Sequence, residues 1–71
     1  MTQTQQILDH MMRHGSITPL EALKEYGCMR LGARIWDLKR MGYDIDAQII
    51  ISHRENGESV RFAKYSFRRA A

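Results

Sequence analysis

The chain has few of the features that mark a secreted, membrane-bound or disulfide-stabilised protein. It contains a single cysteine, Cys28, so no internal disulfide can form, which fits a reducing cytosol. No apolar run approaches the length that spans a membrane, and the N-terminus lacks the pattern of a signal peptide. We therefore expect a cytoplasmic protein that does not associate with membranes.

Residues that carry catalytic or metal-binding chemistry are also scarce. No glycine-rich loop could hold a phosphate, and no serine or cysteine has a histidine and an acid in a spacing that indicates a catalytic triad. His10 and His14 could share one metal ion, but no further ligand is evident, and Asp9 lies on a different helix face. We expect both histidines to face solvent and Cys28 to be a small buried apolar residue. We predict no enzymatic activity, no cofactor and no metal.

The composition is that of one small globular domain, and its charge is unevenly distributed. The chain has 71 residues, of which 44% are hydrophobic and 27% are charged, with a net charge of +3. Residues 1–29 carry a small acidic excess, whereas residues 30–71 hold nine of the 11 Lys and Arg residues. This asymmetry indicates an anionic partner that is met by one face of the protein.

The stretch Ile17–Ile45 predicts two short helices joined by a tight turn. Thr18 can cap a first helix, Pro19 suits its first position, and Glu21 completes a capping box. Gly27 can end this helix, over about residues 19–26, because glycine adopts positive φ without a Cβ clash. This arrangement matches a helix-turn-helix unit. We expect two leucines, Leu20 and Leu23, to form the buried side of the first helix.

The second helix of the unit is predicted over about residues 29–41, before Gly42. Leu31, Ile35 and Leu38 fall within one narrow sector of the helical wheel and should face the core. The opposite side carries Arg30, Ala33, Asp37 and Arg40. One flank carries Gly32, Trp36 and Lys39, and the other carries Arg34 and Met41.

The outward side of this helix combines small residues with arginines. Small residues let a helix approach another surface closely, and arginine binds phosphate or guanine in a bidentate way. We expect Asp37 to orient Arg34 or Arg40; the alternatives are that it accepts a hydrogen bond from cytosine N4 or is simply solvated. Trp36 is either part of the core or partly exposed. The alternative is an ordinary basic face in contact with solvent.

A helix precedes this unit, and a β-hairpin follows it. The first helix is predicted over about residues 3–14, capped by Thr2 or Thr4, with apolar residues at Ile7, Leu8, Met11 and Met12. Ser16 and Ile17 form a short bridge or a two-residue strand. The hairpin is predicted over about residues 44–53 and 60–67. Asn56-Gly57 is its turn signal, because both residues tolerate positive φ.

Two registers of the hairpin are compatible with the sequence. A two-residue loop pairs Ile51 with Phe62 and Ile49 with Lys64, whereas a five-residue loop places Ile49 opposite Tyr65 and Ile51 opposite Ala63. We favour the longer loop, because one buried face then holds four apolar residues. These are Ile45, Ile49, Tyr65 and Phe67. Lys64 and Phe62 would point outward.

The order helix, short bridge, helix, helix, hairpin is the winged-helix arrangement, an α+β fold. Ile17–Ile45, and the whole chain more loosely, resembles the small winged helix-turn-helix proteins common in bacteriophages and prophages. The matching pattern is ITPLEAL, then YGCMRLGARIWDLKRMG, then a hairpin that closes with FAKYSF. The resemblance implies a DNA-binding fold and a regulatory setting, with the most specific match in LGARIWDL.

The first hypothesis is sequence-specific binding of double-stranded DNA by a phage or prophage transcriptional regulator, with the helix over 29–41 in the major groove. The residues expected to bind DNA are Arg30, Gly32, Ala33, Arg34, Trp36, Lys39, Arg40, Arg54 and Arg61. Arg54 and Arg61 would act at the hairpin, although the nearby Glu55 and Glu58 weaken that assignment. The alternative is a protein-interaction module that docks on a host protein. We expect a monomer or weak dimer that pairs on DNA.

Overall fold

A computed structural model describes residues 2–68 and contains three helices and a three-stranded antiparallel sheet. The elements are α1 (Gln3–His14), β1 (Ser16–Ile17), α2 (Pro19–Tyr26), α3 (Leu31–Arg40), β2 (Ile45–His53) and β3 (Ser59–Phe67). The strands lie in the order β1-β3-β2. The predicted α+β winged-helix class is confirmed. None of the described helices is long and apolar enough to cross a membrane.

Capping boxes define the starts of the first two helices. Thr2 caps α1 and Thr18 caps α2, and each threonine exchanges hydrogen bonds with the residue three positions later. Glu21 is that partner for α2, where its carboxylate accepts from the backbone N–H of Thr18 at 3.0 Å. Gly27 ends α2 at φ +64, a backbone conformation that favours glycine.

Helix α3 begins later than the sequence predicts. It starts at Leu31 rather than near Met29, because Arg30 is the N-cap with φ −125 and ψ 63, outside the helical region. No side chain caps this end of the helix. Residues 27–30 therefore form a turn, and both Met29 and Arg30 stand exposed at its surface.

The core is formed around the predicted inner side of α3. Leu31, Ile35 and Leu38 are buried, which confirms the assignment of this stripe. Leu38 has no exposed surface at all. The other buried hydrophobic residues come from every part of the fold except β3; they are Ile7, Met11, Ile17, Ala22, Cys28 and Ile45.

The predicted buried side of α2 is wrong. Leu20 is 72% exposed and Leu23 is 48% exposed, whereas Ala22 is fully buried. Tyr26, one turn after Ala22, is half-buried against the core. The small Ala22 side chain and the tyrosine ring therefore face inward, and this orientation turns the two leucines outward.

The prediction that His10 faces solvent is also wrong. His10 lies on the same side of α1 as Ile7 and Met11 and is only 5% exposed. Its Nδ1 lies 2.8 Å from the hydroxyl of Tyr26, and its Nε2 lies 3.9 Å from a carboxylate oxygen of Glu21. Desolvation by the surrounding protein raises the pKa of the Tyr26 phenol. His10 thus joins α1 to α2 through a polar contact, whereas His14 is exposed.

Both predicted hairpin registers are wrong, although the favoured one has the correct parity. Ile49 pairs with Ala63 and Ile51 pairs with Arg61, a shift of two residues from the favoured pairing. A shift of two keeps every side chain on its predicted face, so Ile45, Tyr65 and Phe67 still share the face toward the core. Lys64 and Phe62 lie on the opposite face, and Lys64 is exposed.

The hairpin loop covers residues 54–58 and uses only one residue with positive φ. Gly57 has φ +86, whereas Asn56 does not adopt positive φ. The Asn56 side chain instead accepts a hydrogen bond from the backbone N–H of Glu58 at 3.0 Å. Asn56-Gly57 is therefore part of a longer loop and not a two-residue turn.

The outer half of β2 extends beyond the core. Ile49 and Ile51 are 55% and 57% exposed, although Ile49 was expected to be buried. The reason is that β2 packs mainly on β3 and extends past the helices, so its core-side face loses its covering after Ile45. The expected burial of Ile49 is wrong, while its assignment to that face of the sheet is correct.

Truncation of the α3 stripe should destabilise the fold strongly. Ile35→Ala and Leu38→Ala should each lower the free energy of unfolding by about 2–5 kcal/mol, because each removes a fully packed side chain. Leu20→Ala, on an exposed residue, should change it by no more than about 0.5 kcal/mol. Urea denaturation followed by circular dichroism measures all three. Equal stability of the three variants would mean that the buried face of α3 is assigned wrongly.

Candidate nucleic-acid interface

The side of α3 opposite its buried stripe is open to solvent. Arg40 is exposed on this side, Gly32, Trp36 and Lys39 are exposed on the adjacent flank, and Arg30 is exposed at the N-terminal end of the helix. Ala33 is half-buried. At a rise of about 1.5 Å per residue, Arg30 and Arg40 stand roughly 15 Å apart along the helix axis. The helix therefore presents two cations separated by small and aromatic side chains.

Trp36 supports one of these cations. It is 57% exposed, and the guanidinium carbon of Arg40 lies 4.7 Å from the centre of a Trp36 ring. Such cation–π contact restricts the arginine without neutralising its charge. Arg40 also lines a shallow depression with Asp37 and the residues that begin α1.

Ion pairs divide the cations of the protein into two groups. Arg34 forms an ion pair with Asp37, with Nε and a carboxylate oxygen 3.2 Å apart, which agrees with the expectation that Asp37 orients Arg34 or Arg40. Arg13 pairs with Asp9 in the same way on α1. Arg34 is also half-buried, so it is less available to a ligand than its neighbours on α3.

Arg68 is likewise engaged, at the end of the sheet. It donates hydrogen bonds to Asp46, the shortest at 2.7 Å, and lies 3.8 Å from a carboxylate oxygen of Asp44. These hydrogen bonds from Arg68 lower the pKa of the Asp46 carboxyl. The remaining cations make no ion pair with any carboxylate in residues 2–68; they are Lys24, Arg30, Lys39, Arg40, Arg54, Arg61 and Lys64.

Tyr65 approaches the start of α3 and was absent from the predicted site. A Cβ atom added to Gly32 would lie 3.9 Å from the Tyr65 hydroxyl. Tyr65 is half-buried against the core, so its ring supports α3 while its hydroxyl reaches the helix surface. The sequence predicted that Tyr65 lies on the core side of β3. It could not predict the contact with Gly32, because that contact depends on the packing angle of α3.

The two hairpin cations lie near the turn between α2 and α3. Arg54 begins the loop and Arg61 stands on β3 opposite Ile51. Both line a groove that also includes Met29 of the turn. Glu55 and Glu58 lie in the same loop, so the hairpin tip has no net positive charge of its own.

The predicted residues thus form two clusters. Gly32, Trp36, Lys39 and Arg40 share the surface of α3 with Arg30 at its N-terminal end. Arg54 and Arg61 form a second cluster on the hairpin, beside the α2–α3 turn. Arg34 differs from both, because Asp37 holds it. No group of three or more His, Cys, Asp or Glu residues in the described part of the chain could hold a metal ion.

A helix-turn-helix followed by a β-hairpin that flanks its second helix defines a winged-helix protein, and this class is a DNA-binding fold rather than a typical enzyme fold. A family model described as "Winged helix-turn-helix domain" matches residues 2–70. The chain therefore belongs to the family of winged helix-turn-helix domains. A search of curated proteins found no match.

Gly32 offers a test of how this surface is built. Its φ is not positive and an added Cβ meets only the Tyr65 hydroxyl, at an ordinary contact distance. Gly32→Ala should therefore raise the free energy of unfolding by about 0.5–1 kcal/mol, because alanine loses less backbone entropy in a helix. Thermal and urea denaturation measure the change. A destabilised variant would show that the contact with Tyr65 is tighter than described.

Proposed function

We propose that this protein binds double-stranded DNA sequence-specifically, with α3 in the major groove, and acts as a transcriptional regulator. The observation that carries the proposal is the outer side of α3, where unpaired cations flank small side chains. An α-helix fits the major groove, where each base pair presents a distinct pattern of donors and acceptors. The winged-helix family supports DNA as the partner, and the regulatory role is the common use of such binding.

The proposal assigns different roles to the residues of α3. Arg30 and Arg40 read base edges, because arginine pairs bidentately with guanine. Gly32 and Ala33 let the helix backbone come close to the floor of the groove. Lys39 contacts phosphate. Arg34 is half-buried and its Nε is paired with Asp37, which offsets part of its charge, so we assign it a supporting role.

Trp36 acts in this proposal by positioning Arg40. The ring holds the guanidinium at 4.7 Å, and this contact limits the conformations that the arginine must give up on binding. A restrained arginine loses less entropy when it pairs with a base. The exposed edge of the Trp36 ring is also free to contact a thymine methyl group or the sugar–phosphate backbone.

The hairpin is proposed to contact the DNA backbone beside the site of α3. Arg54 and Arg61 are exposed and make no ion pair with a described carboxylate, so both can reach phosphates. Glu55 and Glu58 would be repelled by a narrow, strongly negative minor groove. We therefore assign the hairpin to the flanking phosphates.

The proposed oligomeric state is a monomer or weak dimer that pairs on DNA. One helix of ten residues makes few specific base contacts, and two-fold pairing on half-sites doubles them. Sedimentation at nanomolar protein, with and without a palindromic duplex, tests the proposal. A tight dimer in the absence of DNA would contradict it.

Binding to duplex DNA should weaken steeply with salt. Four to six phosphate contacts predict a slope of log K against log salt concentration of roughly −4 to −5. Fluorescence titration of a labelled duplex at four or more salt concentrations measures the slope. The absence of binding to any duplex at low salt would remove DNA as the partner.

Substitution of Arg30 or Arg40 separates base reading from phosphate binding. Arg30→Ala or Arg40→Ala should cost about 1–3 kcal/mol of binding free energy on a site selected from a random duplex library, and much less on a scrambled duplex. Lys64→Ala, on the opposite face of the hairpin from Tyr65, should weaken both by similar, smaller amounts. Both duplexes are titrated at one fixed salt concentration.

Two outcomes of this comparison would change the proposal. Equal losses on the selected and scrambled duplexes would make Arg30 and Arg40 phosphate contacts rather than base contacts. No loss on either duplex would remove α3 as the recognition helix.

A further inference from the structure

An apolar groove lies between α2 and the outer half of β3, and the proposed DNA contacts of α3 do not use it. We call it the α2–wing groove. It encloses about 690 Å³, within the range of pockets that bind ligands. Its apolar lining consists mainly of Pro19, Leu20, Leu23, Met29, Val60 and Phe62.

Three apolar residues of this lining have side chains that are about half exposed or more. Leu20 is 72% exposed, Leu23 is 48% exposed and Met29 is 87% exposed. Single exposed apolar residues are common on protein surfaces, but these three converge on one depression from α2 and the α2–α3 turn. A contiguous exposed apolar surface is typical of interaction sites.

The charge of the groove indicates what it can bind. Among the described residues, the charged ones that line it are Arg54 and Arg61, and none of its lining residues carries a carboxylate. An occupant with carboxylates beside its apolar side chains would satisfy both features. Leucine and methionine side chains gain nothing from phosphate, so the lining favours an acidic, apolar protein segment over nucleic acid.

The backbone of β3 indicates the conformation of the occupant. β1 pairs with β3 only through Ser16–Ser66 and Ile17–Tyr65, after which the chain turns away into α2. Ser59–Lys64 therefore has no backbone hydrogen-bond partner on that side within the described residues. An extended segment placed there would continue the line of β1 and pair with about 20 Å of free strand edge.

We infer that the α2–wing groove docks an extended segment of a protein partner that carries both apolar and acidic residues. The segment adds a strand to the free edge of β3. Its apolar side chains pack on Leu20, Leu23 and Phe62, and its carboxylates pair with Arg54 and Arg61. This inference does not depend on the proposed DNA contacts of α3.

The experiment uses the full chain labelled with ¹⁵N and three synthetic ten-residue peptides. The first repeats two apolar residues, Val or Phe, followed by two Glu, so that each face of the strand carries both kinds of side chain. The second replaces each Glu with Lys, and the third replaces each apolar residue with Ser. We expect only the first to shift the amide signals of Leu20, Leu23 and Ser59–Lys64. It should also protect alternate amides of Ser59–Lys64 from hydrogen exchange, the mark of strand pairing.

Matched variants test the chemistry of the groove. Leu23→Asp should weaken binding of the Glu peptide about tenfold, because it removes apolar contact and adds a like charge. Arg61→Ala should weaken it several-fold, whereas Arg40→Ala, which is outside the groove, should leave it unchanged. Retention of the wild-type pattern of amide signals shows that each variant is folded. Equal binding by all three variants would overturn the inference.

Other occupants give distinguishable results, each of which would overturn the inference. A 16-base-pair duplex that shifts the amide signals of the apolar lining, Leu20 and Leu23, would assign the groove to DNA. Sedimentation showing a dimer that Leu20→Asp dissolves would assign it to a second copy of the chain. Peptide shifts confined to the outer edge of β2, or no shifts, would remove the groove as a docking site.

Loss of DNA binding in Arg40→Ala with peptide binding retained would separate this surface from the proposed function.

Discussion

The burial of Leu31, Ile35 and Leu38 is the constraint on which the other features of the structure depend. These side chains fix the rotation of α3 about its own axis, and that rotation decides which residues meet solvent. Arg30, Gly32, Trp36 and Arg40 are exposed because the other side of the helix is inside. The core therefore positions the candidate interface, and a rotation of α3 by one residue would bury a cation and expose a core residue.

The features that could be predicted from the sequence are those set by local chemistry. The capping box of α2, a threonine cap on α1, the stripe of α3 and the order of the elements follow from residues within a few positions of one another. The errors concern contacts that are distant in sequence. Leu20 and Leu23 satisfied a helical pattern, but Ala22 and Tyr26 face inward because His10, on another helix, meets Tyr26 at 2.8 Å.

The candidate site shows the same contrast between local features, which could be predicted, and contacts between residues distant in sequence, which could not. The exposure of Gly32, Trp36, Lys39 and Arg40 followed from the helical wheel of α3 and is confirmed, while their role in binding stays a prediction. The ion pair between Asp37 and Arg34 agrees with the favoured role of Asp37, whereas Tyr65 beside Gly32 was not foreseen. The hairpin register was missed because the favoured pairing assumed that Ile49 is buried. With both Ile49 and Ile51 more than half exposed, little apolar burial remains in the outer hairpin to specify its pairing.

The proposed DNA interface and the proposed docking groove share Arg54 and Arg61 but not α3. A segment bound in the α2–wing groove would pair its carboxylates with these arginines and remove their charge from the flanking phosphates. It would leave the base contacts of Arg30 and Arg40 in place, so it would lower affinity for every duplex while preserving discrimination between sequences. Because coupling between two binding sites is reciprocal, DNA would lower affinity for the segment by the same factor. Under the two proposals together, the two arginines would give a protein partner a physical means of regulating DNA binding.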